Sequence, residues 1–527
     1  FWLKFPAAAV QAQPRARVRE GECAMAATAY HQAPDAAQEL QTALRHEAAS
    51  VRRAALLEIA KLGELGAVSS GCVSKVVELL DDPEATVHEA ALNALGAMGK
   101  VGAEHVGRIA DETAPGQPRE VRVAAVQALG ELGSDHAAAF AVELEACLED
   151  SDADIVAEAC LSLGSIKAAA SAPKLVSKLT DSDPMVVAAA CGGLGALDAE
   201  ASAVSKMFSH SEPKVRASAA RAMSSMTDAS SYSNALAALL ADADSYARIA
   251  AADALCAVGG QAASVVGAIA PLLAHKEAGV RAAAATSLGG IGPAGLAHAA
   301  KLEELLADTS EDTSTRSLTA AAVMQKVSPI LRKPACAAAT ALGAMGSRGS
   351  SAILVAALAA SGDADMRVGC LGAIGKLGAE GAFSHAEISA LTTDPMPTVA
   401  AAACLALGAL SKDMQKEAVV AAAAAVSACL ADPLPAVRAA AAEGVGLMGT
   451  PAGLPYLEKL AAALKDGIWS VREAAIRALA GCGEHGQMYA AEVCRLALDP
   501  SVPVRVAAIE SLTRFGRRGA AFSRGSE

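Results

Sequence analysis

Read for its hydrophobic and polar positions, the chain repeats one pattern from end to end. The stretch Asp432-Pro-Leu-Pro-Ala-Val437-Arg438-Ala-Ala-Ala-Ala-Glu443-Gly-Val-Gly446-Leu-Met-Gly449 shows it whole. A polar, proline-marked break leads into a run whose apolar and small residues recur three and four positions apart, the spacing of one helix face. Aligned on the equivalent of Val437, here termed the anchor, fourteen copies stand at Val51, Val87, Val121, Ile155, Val186, Val215, Ala247, Val280, Pro334, Met366, Val399, Val437, Val471 and Val504. Neighbouring anchors are 29 to 38 residues apart, except for 54 between Val280 and Pro334. A period near 33 marks a tandem repeat.

Each copy reads as two helices. A leucine-rich segment such as Lys75-Val-Val-Glu-Leu-Leu80 precedes the break and an alanine-rich one follows it. Asp82, Asp150, Asp181, Asp242, Asp394, Asp432, Asp466 and Asp499 lie five residues before their anchors, where a carboxylate caps a helix or organises a turn. Pro83, Pro184, Pro213, Pro395, Pro433 and Pro500 sit at or near the first turn of the second helix, where a missing amide hydrogen costs little. Within that helix the anchor, the small residues three and four places on and the leucine eight places on share a face, as in Val87, Ala90, Ala91 and Leu95, and that face is the expected core. Glycines nine places on (Gly96, Gly130, Gly164, Gly195, Gly289, Gly343, Gly375, Gly408, Gly446) suit close approach of a neighbouring helix. Those twelve places on (Gly63, Gly99, Gly133, Gly259, Gly292, Gly346, Gly378, Gly449, Gly483, Gly516) suit a left-handed helix stop.

These residues, Asp-Pro before Val-Arg-x-Ala-Ala and then Ala-Leu-Gly-x-Met-Gly, resemble HEAT repeats, most closely the short type of phycobilin-lyase-like proteins. The resemblance covers residues 36–516 and implies an all-α fold, a right-handed α-solenoid of about fourteen armadillo-like helical hairpins. It implies a function among scaffolds, transport adaptors and a few enzymes. Composition agrees: 53% of residues are hydrophobic but only 3% aromatic, so the core is made of Ala, Leu and Val and its helices approach closely. One hairpin buries too little to stand alone, and stability comes from the array.

Three segments depart from the pattern. Residues 1–35 match no repeat: Phe1-Trp-Leu-Lys-Phe-Pro is followed by Arg15, Arg17 and Arg19, and Met25 is a plausible native start, with a transit peptide as the alternative. This extension is expected to be disordered. The solenoid is interrupted near 309–333, where Asp308-Thr-Ser-Glu-Asp-Thr-Ser-Thr-Arg-Ser317 is expected to bulge out as a loop. It reads either as a tolerated insertion or retained non-coding sequence, since removing Ser314 to Leu331 restores a spacing of 36, or as a docking or phosphorylation loop. Pro334-Ala335 replaces Val-Arg here, which makes this the weakest expected seam. The tail 517–527, with Arg517, Arg518 and Arg524, is expected to fray, a short basic address being the alternative.

A net charge of −13 argues against a general nucleic-acid binder, and apolar runs such as 419–430 fall short of the ~20 residues of a membrane span. The arginines after the anchor (Arg52, Arg122, Arg216, Arg248, Arg281, Arg367, Arg438, Arg472, Arg505) form a row that either binds anions or pairs with the aspartates, the pairs Asp242/Arg248, Asp432/Arg438, Asp466/Arg472 and Asp499/Arg505 being spaced for a ladder between successive breaks. His46, His210 and His275 replace the aspartate in separated repeats and read as caps or solvent-facing side chains rather than metal ligands. His88-Glu89 resembles the His-Glu repeat of deoxyhypusine hydroxylase, but a di-iron centre needs several such pairs and this register holds one. Phycobilin lyase is the other enzymatic alternative, and no bilin pocket is identifiable. The twelve cysteines lack a Cys-x-x-Cys spacing; Cys160, Cys191 and Cys404 share one small-residue position, with Cys336 and Cys370 near it, and read as buried thiols of a reducing, cytoplasmic compartment. Three Gly-x-Gly-x-x-Gly matches, beginning at Gly290, Gly444 and Gly481, arise from the repeat's own glycines, and none follows a strand. No catalytic, cofactor-binding or metal-ligating residue is expected.

If the second helices line the concave side, positions two, six and ten after the anchor point outward. In the middle of the chain these are small: Ala188, Gly192, Ala196 and Ala282, Thr286, Gly290. Towards the C-terminus they become Glu443, Glu473, Arg477, Glu510 and Arg514, the expected partner-binding patch of a non-catalytic protein-interaction scaffold.

Overall fold

The break fixes where each helix begins. At all eight aspartates five residues before an anchor, one carboxylate oxygen accepts the backbone N–H two residues on, at 2.8–3.0 Å. The carboxylate therefore organises the turn, while the residue capping the helix is a different one, three before the anchor. Asp152, Asp183, Asp244 and Asp363 fill that place and accept amides of the first helical turn. Pro184 and Pro213 open helices as expected, whereas Pro83, Pro395, Pro433 and Pro500 belong to the turn itself.

The computed structural model describes residues 34–312 and 333–515. The expectations placed on residues 1–33, on the insertion beyond Asp312, on Gly516 and on the tail lie outside the described residues. The chain divides into two compact units between Leu239 and Leu240. The first unit carries the long helices that follow each break: α1 (Ala49–Ser70, interrupted at Gly63), α2 (Ala85–Ala97), α3 (Arg119–Leu132), α4 (Ala153–Ser165), α5 (Pro184–Leu197) and α6 (Pro213–Met223). The second carries α7 (Ser245–Val258), α8 (Ala278–Ile291), α9 (Pro334–Met345), α10 (Ala364–Lys376), α11 (Pro397–Leu410), α12 (Pro435–Met448), α13 (Trp469–Gly481) and α14 (Val502–Arg514). Every anchor is the third residue of its helix except Pro334, which is the first of α9.

Within each unit the long helices pack one on the next, α1 to α6 and α7 to α14. The leucine-rich segments packed against them are mostly short, and several finish in 3-10 turns, as Val73–Glu78 does in Leu79–Asp81. Anchors and leucines eight places on close over one another: Val87, Leu95, Val121, Leu129, Ile155 and Leu163 are at most 1% exposed. Each such side chain contributes roughly 1.5–3 kcal/mol. The fold is all-α among the described residues, a stack of helical hairpins in each unit.

The glycines do what their spacing implies, with one correction. A Cβ added at any of the nine glycines nine places after an anchor would meet the residue seven places after the next anchor, always Ala, Ser or Gly; the Ala373 Cα would lie 2.5 Å from one on Gly343. The glycines twelve places on have positive φ throughout 34–515, but most are not left-handed helical: Gly99 (57°, −123°) and Gly292 (82°, −139°) occupy a region still more restricted to glycine, and Gly346 (69°, 38°) is the left-handed stop.

α8 packs directly on α9, so residues 313–332 interrupt the chain but not the stack. One apolar stretch, Ser245–Ala274, is long and apolar enough by composition to cross a membrane, more so than the runs weighed from sequence. It is not one α-helix: α7 stops at Gly259 (φ 58°) and 3-10 turns follow.

Candidate interaction surface

The arginine row is a ladder, with a different pairing from the one expected. Asp432/Arg438, Asp466/Arg472 and their equivalents do not pair by side chain within a break; six arginines instead reach the aspartate of the following break: Arg52 to Asp82 (2.7 and 2.9 Å), Arg438 to Asp466 (2.8 and 2.9 Å) and Arg472 to Asp499 (2.6 and 2.8 Å), all two-pronged, and Arg122 to Asp150, Arg281 to Asp308 (2.7 Å) and Arg367 to Asp394 (2.5 Å). The remaining guanidinium nitrogen donates back to carbonyls of its own break, as Arg438 does to Asp432 and Pro433 at 2.8 and 3.0 Å. Arg438's hydrogen bonds hold the Asp466 carboxyl below its ordinary range, outweighing burial.

Where the repeat lacks a residue, the rung is rebuilt. His46, His210 and His275 accept the amide two residues on through Nδ1 at 3.0–3.2 Å, reproducing the aspartate's turn rather than capping the helix, whose caps are Ala48, Glu212 and Glu277. Because position 275 is histidine, Arg248 turns instead to Asp312, 64 residues on, at 2.7 Å, and that pair is 3% and 10% exposed. Asp308 and Asp312 thus lay the start of the polar insertion against two rungs. At the seam, where Ala335 stands in the arginine position, Lys333 binds Asp363 (2.6 Å) and Asp365 (2.9 Å); burial opposes its charge, but the two carboxylates raise its pKa. Arg119 makes the same double contact with Asp152 and Asp154.

His88 stands in the arginine position and faces Glu112 at 3.4 Å, both nearly buried. Burial lowers the imidazole pKa despite the nearby carboxylate. The facing atoms, His88 Nε2 and Glu112 Oε2, make no hydrogen bond among the described residues, and among those residues no group of three or more His, Cys, Asp or Glu is arranged to hold a metal ion. All described cysteines are free thiols. Burial pushes Cys160, Cys191, Cys336 and Cys370 up to about 12, so they are neutral packing groups rather than nucleophiles.

Of the expected partner-binding residues, the structure joins three. Arg477 lies between Glu473 (3.2 Å) and Glu510 (3.3 Å), linking α13 to α14; Arg477, Glu510 and Arg514 are exposed, Glu473 and Glu443 half-buried. In the middle, Ala188, Gly192 and Ala196 are half-buried, but Ala282 is fully buried, so the outward reading fails there.

Two features were missed from sequence. An open hollow of about 440 Å³ lies on α3 to α6, lined by Val123, Ala157, Glu158, Leu161, Met185 and Ala188 among others; another of about 370 Å³ lies beside Leu358, Arg367 and Glu387. And the helix-capping residue changes character along the second unit, from Asp244, Glu277 and Asp363 to Met396, Leu434 and Ile468, which are 42–46% exposed. Lining up the residues three before each anchor would have revealed this second change.

Residues 141–224, 172–255, 233–323 and 385–463 match the description HEAT repeats. No curated protein sequence matches the chain significantly. Among solved structures the fold resembles yeast importin-β (Kap95p), at 13% identity over 94% of this chain and 74% of that one with a TM-score of 0.56. It also resembles importin-β crystallised in an ammonium sulfate condition, at 14% identity over 93% of this chain and 75% of that one with a TM-score of 0.50. The chain belongs to the HEAT-repeat, armadillo-like solenoid family.

Proposed function

We propose that the chain is a non-catalytic scaffold that binds other proteins along its helix faces, in the cytoplasm. The observation that carries this reading is the ladder: break arginines and aspartates are spent on one another, so these charges hold neighbouring repeats together and leave the exposed helix surfaces to a partner. With the arginines paired, the row offers no basic stripe for nucleic acid, in keeping with the net charge of −13. Buried neutral thiols fit a reducing compartment.

The partner surface proposed here is the patch of Glu443, Glu473, Arg477, Glu510 and Arg514. Affinity purification of the full chain from its native source tests it, comparing wild type with the double reversal Glu473→Lys, Arg477→Glu. The expected result is that at least one stoichiometric protein partner is retained by wild type and reduced about tenfold by the reversal. Retention of every partner removes the patch. A chromophore or iron copurifying in the absorption spectrum removes the scaffold reading in favour of chromophore attachment or di-iron chemistry.

A further inference from the structure

The hollow on α3 to α6 has the chemistry of a socket for a cationic side chain. Its lining includes the small residues Ala157, Ala188 and Ala189. Its walls include Leu161 and Met185, 42% and 46% exposed, aliphatic surface of the kind that covers the stem of a long side chain. Glu158 is half-buried in it and, among the described residues, makes no hydrogen bond or ion pair. Burial, and next the charge of Glu131, push the Glu158 carboxyl above its ordinary pKa, as happens to an anion lacking a counter-charge.

The cation in its lining is already committed. Arg119, on the rim, is held by Asp152 at 2.6 Å and by Asp154. Glu158, Asp152 and Asp154 against Arg119 leave the hollow net negative, and a half-buried carboxylate beside apolar walls gains most from a positive group that brings its own hydrocarbon.

We propose that this hollow receives a lysine or arginine side chain from a protein partner, with its charge on Glu158 and its stem against Leu161 and Met185. The proposal rests on the scaffold reading but concerns a surface distinct from the α12 to α14 patch.

The test is selection of a displayed library of random twelve-residue peptides on the full chain, followed by titration of the enriched peptides against Glu158→Gln, which keeps the shape, and Ala188→Trp, which fills the hollow. Enriched peptides are expected to centre on Lys or Arg beside aliphatic residues. Their affinity is expected to fall on the order of tenfold with Glu158→Gln, to be lost with Ala188→Trp, and to be unchanged by the reversal at Glu473 and Arg477. Enrichment without a cation, no enrichment at all, or equal binding to Glu158→Gln and Ala188→Trp overturns the socket. None of these three results bears on native partners held elsewhere, which the purification above decides separately.

Discussion

Where a break carries an arginine, its guanidinium meets carbonyls that the turn has already set in place. Burial decides what each rung is worth. Arg248–Asp312 is nearly excluded from water, so Asp312→Asn, which removes one member of a buried ion pair, is expected to cost about 3 kcal/mol in urea denaturation. Glu510→Gln, at an exposed pair, is expected to change stability by no more than about 0.5 kcal/mol in the same assay. Two of the depressed groups illustrate the pH dependence. Asp466 has a folded pKa below its unfolded one, so its contribution is complete above about pH 4 and is lost as pH falls through the folded value; Asp466→Asn should remove that share of the acid destabilisation in denaturation curves taken below about pH 4. His88 is also depressed, so stability is full above the unfolded histidine pKa, about 6.5, and declines as pH falls towards the folded one; His88→Gln should remove that decline from thermal melts taken between pH 7 and 5. The regular rungs were legible because helix and turn fix both ends. Asp312 was not, because nothing local ties it to an arginine 64 residues earlier.

Among the long helices, a small residue seven places after one anchor exists to receive the glycine nine places after the previous one. This makes opposite outcomes predictable for one kind of substitution. Gly343→Ala would press a methyl against Ala373 and is expected to destabilise by about 1–3 kcal/mol. Gly267→Ala, in a helix with nothing within 4 Å, is expected to stabilise by about 0.5–1 kcal/mol, both read by chemical denaturation. The helices, their starting points and their packing glycines were readable because period and spacing encode them directly. The conformation of the stop glycines was less so, since positive φ leaves ψ open. The hollow around Glu158 escaped because its lining comes from four repeats, each unremarkable alone, and a carboxylate's missing counter-charge is a property of neighbours rather than of sequence.

At the scale of the whole molecule, contacts run between successive hairpins within each unit, so damage should stay near where it is made. The same construction suits a binding scaffold, since a partner can engage several exposed helix faces without disturbing a central core. Hydrogen exchange on the full chain with Gly446→Leu puts this to the test most directly, because the Ala478 Cα would lie 2.6 Å from a Cβ at that position. The expected result is lost amide protection in α12, α13 and their adjoining hairpins, with α3 to α5 protected as in wild type. Equal loss of protection in α3 to α5 would contradict the account, because it would mean that one shared core, rather than neighbour-to-neighbour closure, holds the chain together.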